Sequence, residues 1–176
     1  METMKILTLL LLLALPAAAG SPEKLSDHAS FKAPEGWTVS YRTEQGDQQA
    51  VLERDLHSIT VRLAGGPGSR YRSAADFLAG FEARSPGGKL AEKLGGLPVA
   101  GKTIMIYRRK VAVGLPPPDA SGPSTLADEE FCVLPAGRRF LILTYSYADS
   151  IPDPTYDGRK AWLGFLKALR LRGLSR

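Results

Sequence analysis

The chain has 176 residues, with 23 Lys and Arg against 18 Asp and Glu, and a formal net charge of +5. Its single cysteine excludes an internal disulfide framework, and its two histidines leave little material for a metal centre. The length suits one ordinary domain with its own packed core.

Lys5 precedes an apolar run from Ile6 to Leu15, with Thr8 its only polar member, and then Pro16, Ala17, Ala18, Ala19 and Gly20. A basic start, a short apolar middle and a small-residue end read as a secretory signal peptide over 1–20. The run is short for a bilayer span and no later stretch is long enough, so no transmembrane segment is expected after cleavage. The working domain is then 21–176, periplasmic or secreted. No cysteine stands immediately after the cleavage point, which argues against a lipid anchor. Export with one lone cysteine fits a bacterial envelope. There a basic protein meets lipid head groups and acidic glycans rather than nucleic acid. Plain solubility is the simpler reading of the charge.

Ser21 to Asp27 reads as a polar lead, followed by a strand at Ala29 to Ala33 and a turn at Pro34-Glu35-Gly36. Trp37, Val39 and Tyr41 alternate with polar residues, which predicts a half-buried strand with an inward aromatic face. Strands follow at Ala50 to Glu53 and Ile59 to Ala64. Gly65 to Gly68 breaks the pattern. Ser73 and Asp76 then mark a helix start, with Phe77, Leu78 and Phe81 on one apolar stripe. A short strand is predicted near Leu90 to Leu94 and a long one along Val99 to Val113, and a hairpin links Phe131–Leu134 to Arg139–Tyr147, where Leu141, Leu143, Tyr145 and Tyr147 share one face. Between them, Leu115 to Thr125 is a Pro-, Gly- and Ser-rich loop. A last helix spans about Asp157 to Leu171, with Trp162, Phe165, Leu166 and Leu169 on its core side. The order ββββ-α-ββββ-α with hairpin-length links predicts an α+β fold, mainly antiparallel sheet flanked by helices.

Gly96 to Thr103 matches G-x-x-x-x-G-K-[ST]. A phosphate loop needs a helix N-terminus after the lysine, and Ile104-Met105-Ile106-Tyr107 instead reads as strand. The motif is therefore expected to be a hairpin turn with Lys102 in solvent. His28 and His57 lie in separate segments near Asp27 and Asp55, too few groups to predict a metal site. Cys132, between Phe131 and Val133, reads as a small core residue rather than a nucleophile. Asp128, Glu129 and Glu130 read as a solvated loop edge. Trp37 reads as a core anchor, with ligand stacking the sharper alternative. No catalytic residue and no cofactor is expected. On the last helix Arg159, Lys160, Lys167 and Arg170 fall in one arc beside the apolar stripe, with Arg172 and Arg176 beyond. They form a candidate anion-binding face, the plainer reading being a solvated face.

Phe31-Lys-Ala-Pro-Glu-Gly-Trp37, the strand Arg138-Arg-Phe-Leu-Ile-Leu-Thr-Tyr145 and the closing Trp162 helix resemble the PsbP-like superfamily, including its bacterial exported, DcrB-like members. The resemblance implies an α/β/α sandwich over 21–176 and a non-enzymatic accessory or binding role. It carries no active-site residues across, and the Leu115 to Thr125 loop looks like an insertion of this chain. The expectation is an exported, non-catalytic binding or accessory protein with a protein partner in the envelope. A sheet edge or the Leu115 to Thr125 loop would be its working surface. Two alternatives stand: a peripheral binder of anionic lipid or glycan through the basic helix, and a small hydrolase with an unrecognised site.

Overall fold

The computed structural model describes residues 22–113, 125–149 and 153–172. The 1–20 leader, most of the Leu115 to Thr125 loop and Arg176 lie outside these residues.

Most of the described chain is antiparallel sheet. Seven strands form one sheet in the order β3-β4-β5-β9-β8-β7-β6. They are β3 (Thr38–Glu44), β4 (Asp47–Arg54), β5 (His57–Ala64), β6 (Glu92–Val99), β7 (Lys102–Val113), β8 (Thr125–Ala136) and β9 (Arg139–Tyr147). A second sheet has three short strands, β1 (Glu23–Leu25), β2 (Ala29–Phe31) and β10 (Arg170–Leu171), in the order β1-β2-β10. Helix α1 (Ala74–Ala79) follows β5, and helix α2 (Gly158–Ala168) follows β9. No helix among the described residues is long and apolar enough to cross a membrane.

Alternation along the strands decides which layer each residue joins. Ile59, Val61 and Leu63 of β5, Leu141 and Leu143 of β9, and Cys132 and Leu134 of β8 face one side. There they meet Trp162, Phe165, Leu166 and Leu169 of the α2 segment, and Leu25 and Phe31 of the small sheet. Phe31 and Phe165 pack with their rings tilted at 60° and centroids 5.6 Å apart. The opposite parity of the same strands gives Ala64, Phe131, Phe140 and Ile142, which pack with Tyr71, Phe77 and Ala83 around α1. The two helices thus cover opposite faces of the large sheet. Each large apolar side chain fully buried this way contributes about 1.5–3 kcal/mol.

Five strands, not four, precede α1, and a two-residue strand follows α2. The polar lead contains β1, because Leu25 is buried and β1 pairs with β2. The last helix is shorter than its periodicity suggested. Leu169 caps it in an extended conformation, and β10 then pairs with β2, so Arg170 is no longer helical. Helix α1 also stops early. Gly80 turns the chain against Tyr71, where a Cβ would lie 2.8 Å from the ring, and Phe81 leaves the apolar stripe at 70% exposure. Tyr41 is likewise 50% exposed, because β3 is an edge strand, and its hydroxyl donates to Glu23 of the small sheet at 2.5 Å. The Gly96 to Thr103 motif forms the β6–β7 hairpin. Ala100 and Gly101 both take positive φ, as a tight hairpin turn requires, and strand β7 follows.

Asp128, Glu129 and Glu130 are not a loop edge. They sit inside β8, directly opposite Lys110, Arg109 and Arg108 of β7. Lys110 pairs with Asp128 at 2.9 Å, Arg108 with Glu130 at 3.1 Å, and Arg109 closes on Glu129. Three consecutive bases facing three consecutive acids favour this register, because a one-residue slip would leave one base facing Phe131 or Ala127 and one acid facing Val111 or Tyr107.

Candidate functional site

The densest group of polar and aromatic side chains lies where β5, β9 and the start of α2 meet. His57 opens β5 on the same parity as Ile59, Val61 and Leu63, so its ring points into the α2 side of the sheet and only 3% of the residue is exposed. Tyr147 stands opposite it across the β5–β9 pairing, and the rings stack at 4.5 Å. Tyr145, Tyr156 and Trp37 complete an aromatic box around the imidazole, at 6.1, 5.2 and 6.3 Å.

Both ring nitrogens of His57 are engaged. Nε2 lies 3.3 Å from Asp153 Oδ2, and Nδ1 lies 3.0 Å from the Tyr145 hydroxyl. Asp153 is held ionised. The Thr155 hydroxyl and the Thr155 amide donate to Oδ1 at 2.7 Å each, and the Tyr156 amide donates at 3.2 Å. These bonds, with His57 behind them, lower its carboxyl to about 2. An ionised carboxylate can only accept, so Nε2 carries a proton toward Asp153, and in the neutral imidazole Nδ1 then accepts from Tyr145. Trp37 Nε1 donates to the Tyr156 hydroxyl at 2.7 Å, and the Arg54 guanidinium lies 4.0 Å above the Tyr156 ring.

Next to this box, Glu130 is buried at the cross-strand position facing Tyr145. Its Oε1 accepts from Arg159 Nε at 2.7 Å and from Arg108 at 3.1 Å. Its Oε2 has no hydrogen-bond partner. The roof is Gly158, the first residue of α2, behind the capping side chain of Asp157, which accepts from the Lys160 amide. The open part is a cleft of about 480 Å³ lined by His57, Tyr147, Asp153, Thr155, Asp157 and Arg159.

Hydrogen bonds commit the polar groups of the cleft to one another. The hydroxyl on His57 belongs to Tyr145, and burial, with Glu130 second, raises that phenol to about 12. It is therefore the reverse of an activated nucleophile. Cys132 is fully buried in the larger core, and burial pushes its thiol to about 12. His28 is separate from the cleft, 3.1 Å from the Ser26 hydroxyl. Among the described residues no three His, Cys, Asp or Glu side chains converge as a metal site would require.

The four basic residues of the last helix do not act alike. Lys160 and Lys167 are exposed and share one side of α2, seven residues apart. Arg159 is drawn to Glu130, at the cleft. Arg170 lies beyond the helix and donates to the carbonyls of Lys167 and Leu169, closing the helix end.

Sequence reasoning placed Trp37 in the core and Tyr145 and Tyr147 on one face of their strand, but did not assemble the cleft. The overlooked signal was parity: His57 continues the buried alternation of β5. Asp153-Pro154-Thr155 also has the form of a side-chain-stabilised turn. No family model matches the chain, and no curated protein matches it.

Proposed function

We propose that the protein is an exported, non-catalytic binding or accessory module of the bacterial cell envelope, periplasmic or secreted, built as a PsbP-like α/β/α sandwich. The observation that carries the reading is the state of the His57 cleft. Its residue types suit acid–base chemistry, yet each is occupied in holding another: Asp153 by Thr155, Tyr156 and His57, and His57 by Asp153 and Tyr145. Such a cleft fixes the start of α2 against the sheet and offers a shaped polar surface. Export is supported by the sequence of 1–20, and the sandwich by helices on opposite sheet faces.

Affinity capture from the envelope fraction of the source cell tests this, at low and high salt, with wild type, Tyr147→Ala and a Lys160→Gln/Lys167→Gln variant. The expected result is one discrete component that survives high salt and is lost with Tyr147→Ala. Capture of lipid or glycan alone, abolished by salt and by the double lysine change, would overturn it in favour of the basic helix face. Turnover of a model ester or peptide that disappears in His57→Gln would overturn it in favour of a hydrolase.

A further inference from the structure

We propose that the turn carrying Phe81 and Leu90 docks the protein onto an anionic lipid bilayer. The inference deepens the envelope reading and rests on it for where a bilayer would be met.

The turn is a rigid knob built from two 3-10 turns, Phe81–Ala83 and Pro86–Gly88. It is tied by its own backbone. Arg84 N–H donates to the Phe81 carbonyl at 3.0 Å, Ser85 N–H donates to the Lys89 carbonyl at 2.8 Å, and Arg84 forms an isolated bridge with Leu90. The Ser85 hydroxyl accepts from the Lys110 amide of β7 at 2.9 Å, and Ala83 is buried in the smaller core. The knob is thus anchored to the large sheet while its tips are bare. Phe81 is 70% and Leu90 68% exposed, the two most exposed large apolar residues among those described. Leu126, 43% exposed, shares a shallow depression with Leu90, Pro86 and Lys89.

The uncompensated charge around these tips is positive: Glu92 and Asp128, which line the same depression, face Arg108 at 4.0 Å and Lys110 at 2.9 Å. Arg72, Arg84 and Lys89 have no carboxylate partner among the described residues. Arg72 follows Tyr71, whose ring lies against Gly80 beside Phe81. The Arg84 guanidinium donates only to the Ala79 and Gly88 carbonyls, so its charge is not cancelled. The nearest acid in the turn, Glu82, is closed onto Arg62 and Arg70 at 2.9 Å each.

Protruding apolar side chains with three unmatched cations, Arg72, Arg84 and Lys89, on the same turn and its approach suit a fluid anionic interface better than a protein partner. Two separate tips do not make the flat patch of about 800 Å² that a stable protein interface buries on each side. A bilayer accepts isolated side chains at any spacing, and its anionic head groups meet each cation without fixed geometry.

The test is sedimentation of the protein, as recovered from producing cells, with phosphatidylcholine vesicles lacking or containing about a third phosphatidylglycerol. Wild type should partition at least about tenfold more onto the anionic vesicles at low salt, and high salt should remove most of the difference. Phe81→Ser/Leu90→Ser should lose about tenfold or more of the binding. Each of Arg72→Gln and Lys89→Gln should lose about fivefold. Lys160→Gln/Lys167→Gln should bind as wild type. The changed side chains are solvent-exposed, and a thermal melt of each variant matching wild type confirms an intact fold. Vesicle binding that is absent, unaffected by the Phe81/Leu90 change, or abolished by the Lys160/Lys167 change would overturn the proposal. A chain found uncleaved in the cytoplasm would overturn the envelope reading instead and leave the vesicle result standing.

Discussion

Gly158, the first residue of α2, approaches His57 so closely that a Cβ on it would lie 2.4 Å from the imidazole Nδ1 and 2.4 Å from the Tyr145 hydroxyl. The helix start therefore seats directly on the His57–Tyr145 hydrogen bond. Gly158→Ala should cost about 3 kcal/mol, because both atoms belong to a buried bonded pair that has little room to yield. Urea unfolding measures this. Adding Tyr145→Phe should recover part of the loss, since it removes one of the two clashing atoms. A Gly158→Ala protein as stable as wild type would show that α2 is not seated there.

The Arg109–Glu129 pair of the cross-strand ladder is mostly buried, with side chains 12% and 14% exposed. Burial raises the Glu129 carboxyl, and Arg109 pulls it back. Arg109→Ala leaves that carboxylate desolvated and alone, and should cost about 2–4 kcal/mol in equilibrium unfolding. Replacing both by leucine should be far milder than either single change. Double loss equal to the sum of the single losses would contradict the pairing.

The predictable and the hidden parts of this chain divide on physical grounds. Alternation in Ile59 to Leu63 and Leu141 to Tyr147 is a local signal, so sheet class and inward faces were legible. So was the core stripe of α2, since Trp162, Phe165, Leu166 and Leu169 repeat at helical spacing. The charge ladder was hidden because its two triplets are separated by the Leu115 to Thr125 stretch, and neither alone says which strand it faces. The cleft was hidden for the same reason: Trp37, His57, Tyr145 and Asp153 come from four segments, and only the sheet order brings them together. Phe81 was misplaced because its spacing suits the α1 stripe, while the turn at Gly80 depends on a contact with Tyr71.

Acid should weaken the roof of the cleft. Asp153 is lowered from its ordinary 3.8 to about 2, chiefly by the Thr155 hydroxyl and amide. The folded state thus holds a carboxylate that the unfolded chain protonates first. The stability this contributes is complete above about pH 4 and is lost as pH falls through about 2. Asp153→Asn should flatten this acid limb in melts taken from pH 5 downward, and Thr155→Val should flatten it partly. An unchanged acid limb in both variants would contradict the assignment.

Alkali should act on the core. The Cys132 thiol is raised from 9.0 to about 12 by burial, and the Tyr145 phenol from 10.0 to about 12. The folded state keeps protons that the unfolded chain releases. Stability is therefore complete below about pH 9 and declines as pH rises toward 12. Cys132→Ala should delay the onset of the decline to near pH 10, at some cost in packing. The native thiol should also resist a disulfide reagent until the protein is unfolded. Rapid native labelling would contradict its buried place in β8.

The central claim is that the chain is exported and that its cleft holds rather than reacts. Intact-mass spectrometry tests both at once, on protein recovered from each cell fraction after exposure to serine-, cysteine- and epoxide-directed probes. We expect a chain shortened to begin at Gly20 or Ser21, in the periplasmic or secreted fraction, carrying no adduct. A full-length cytoplasmic chain, or an adduct on Cys132, His57 or Tyr145 of the folded protein, would contradict it.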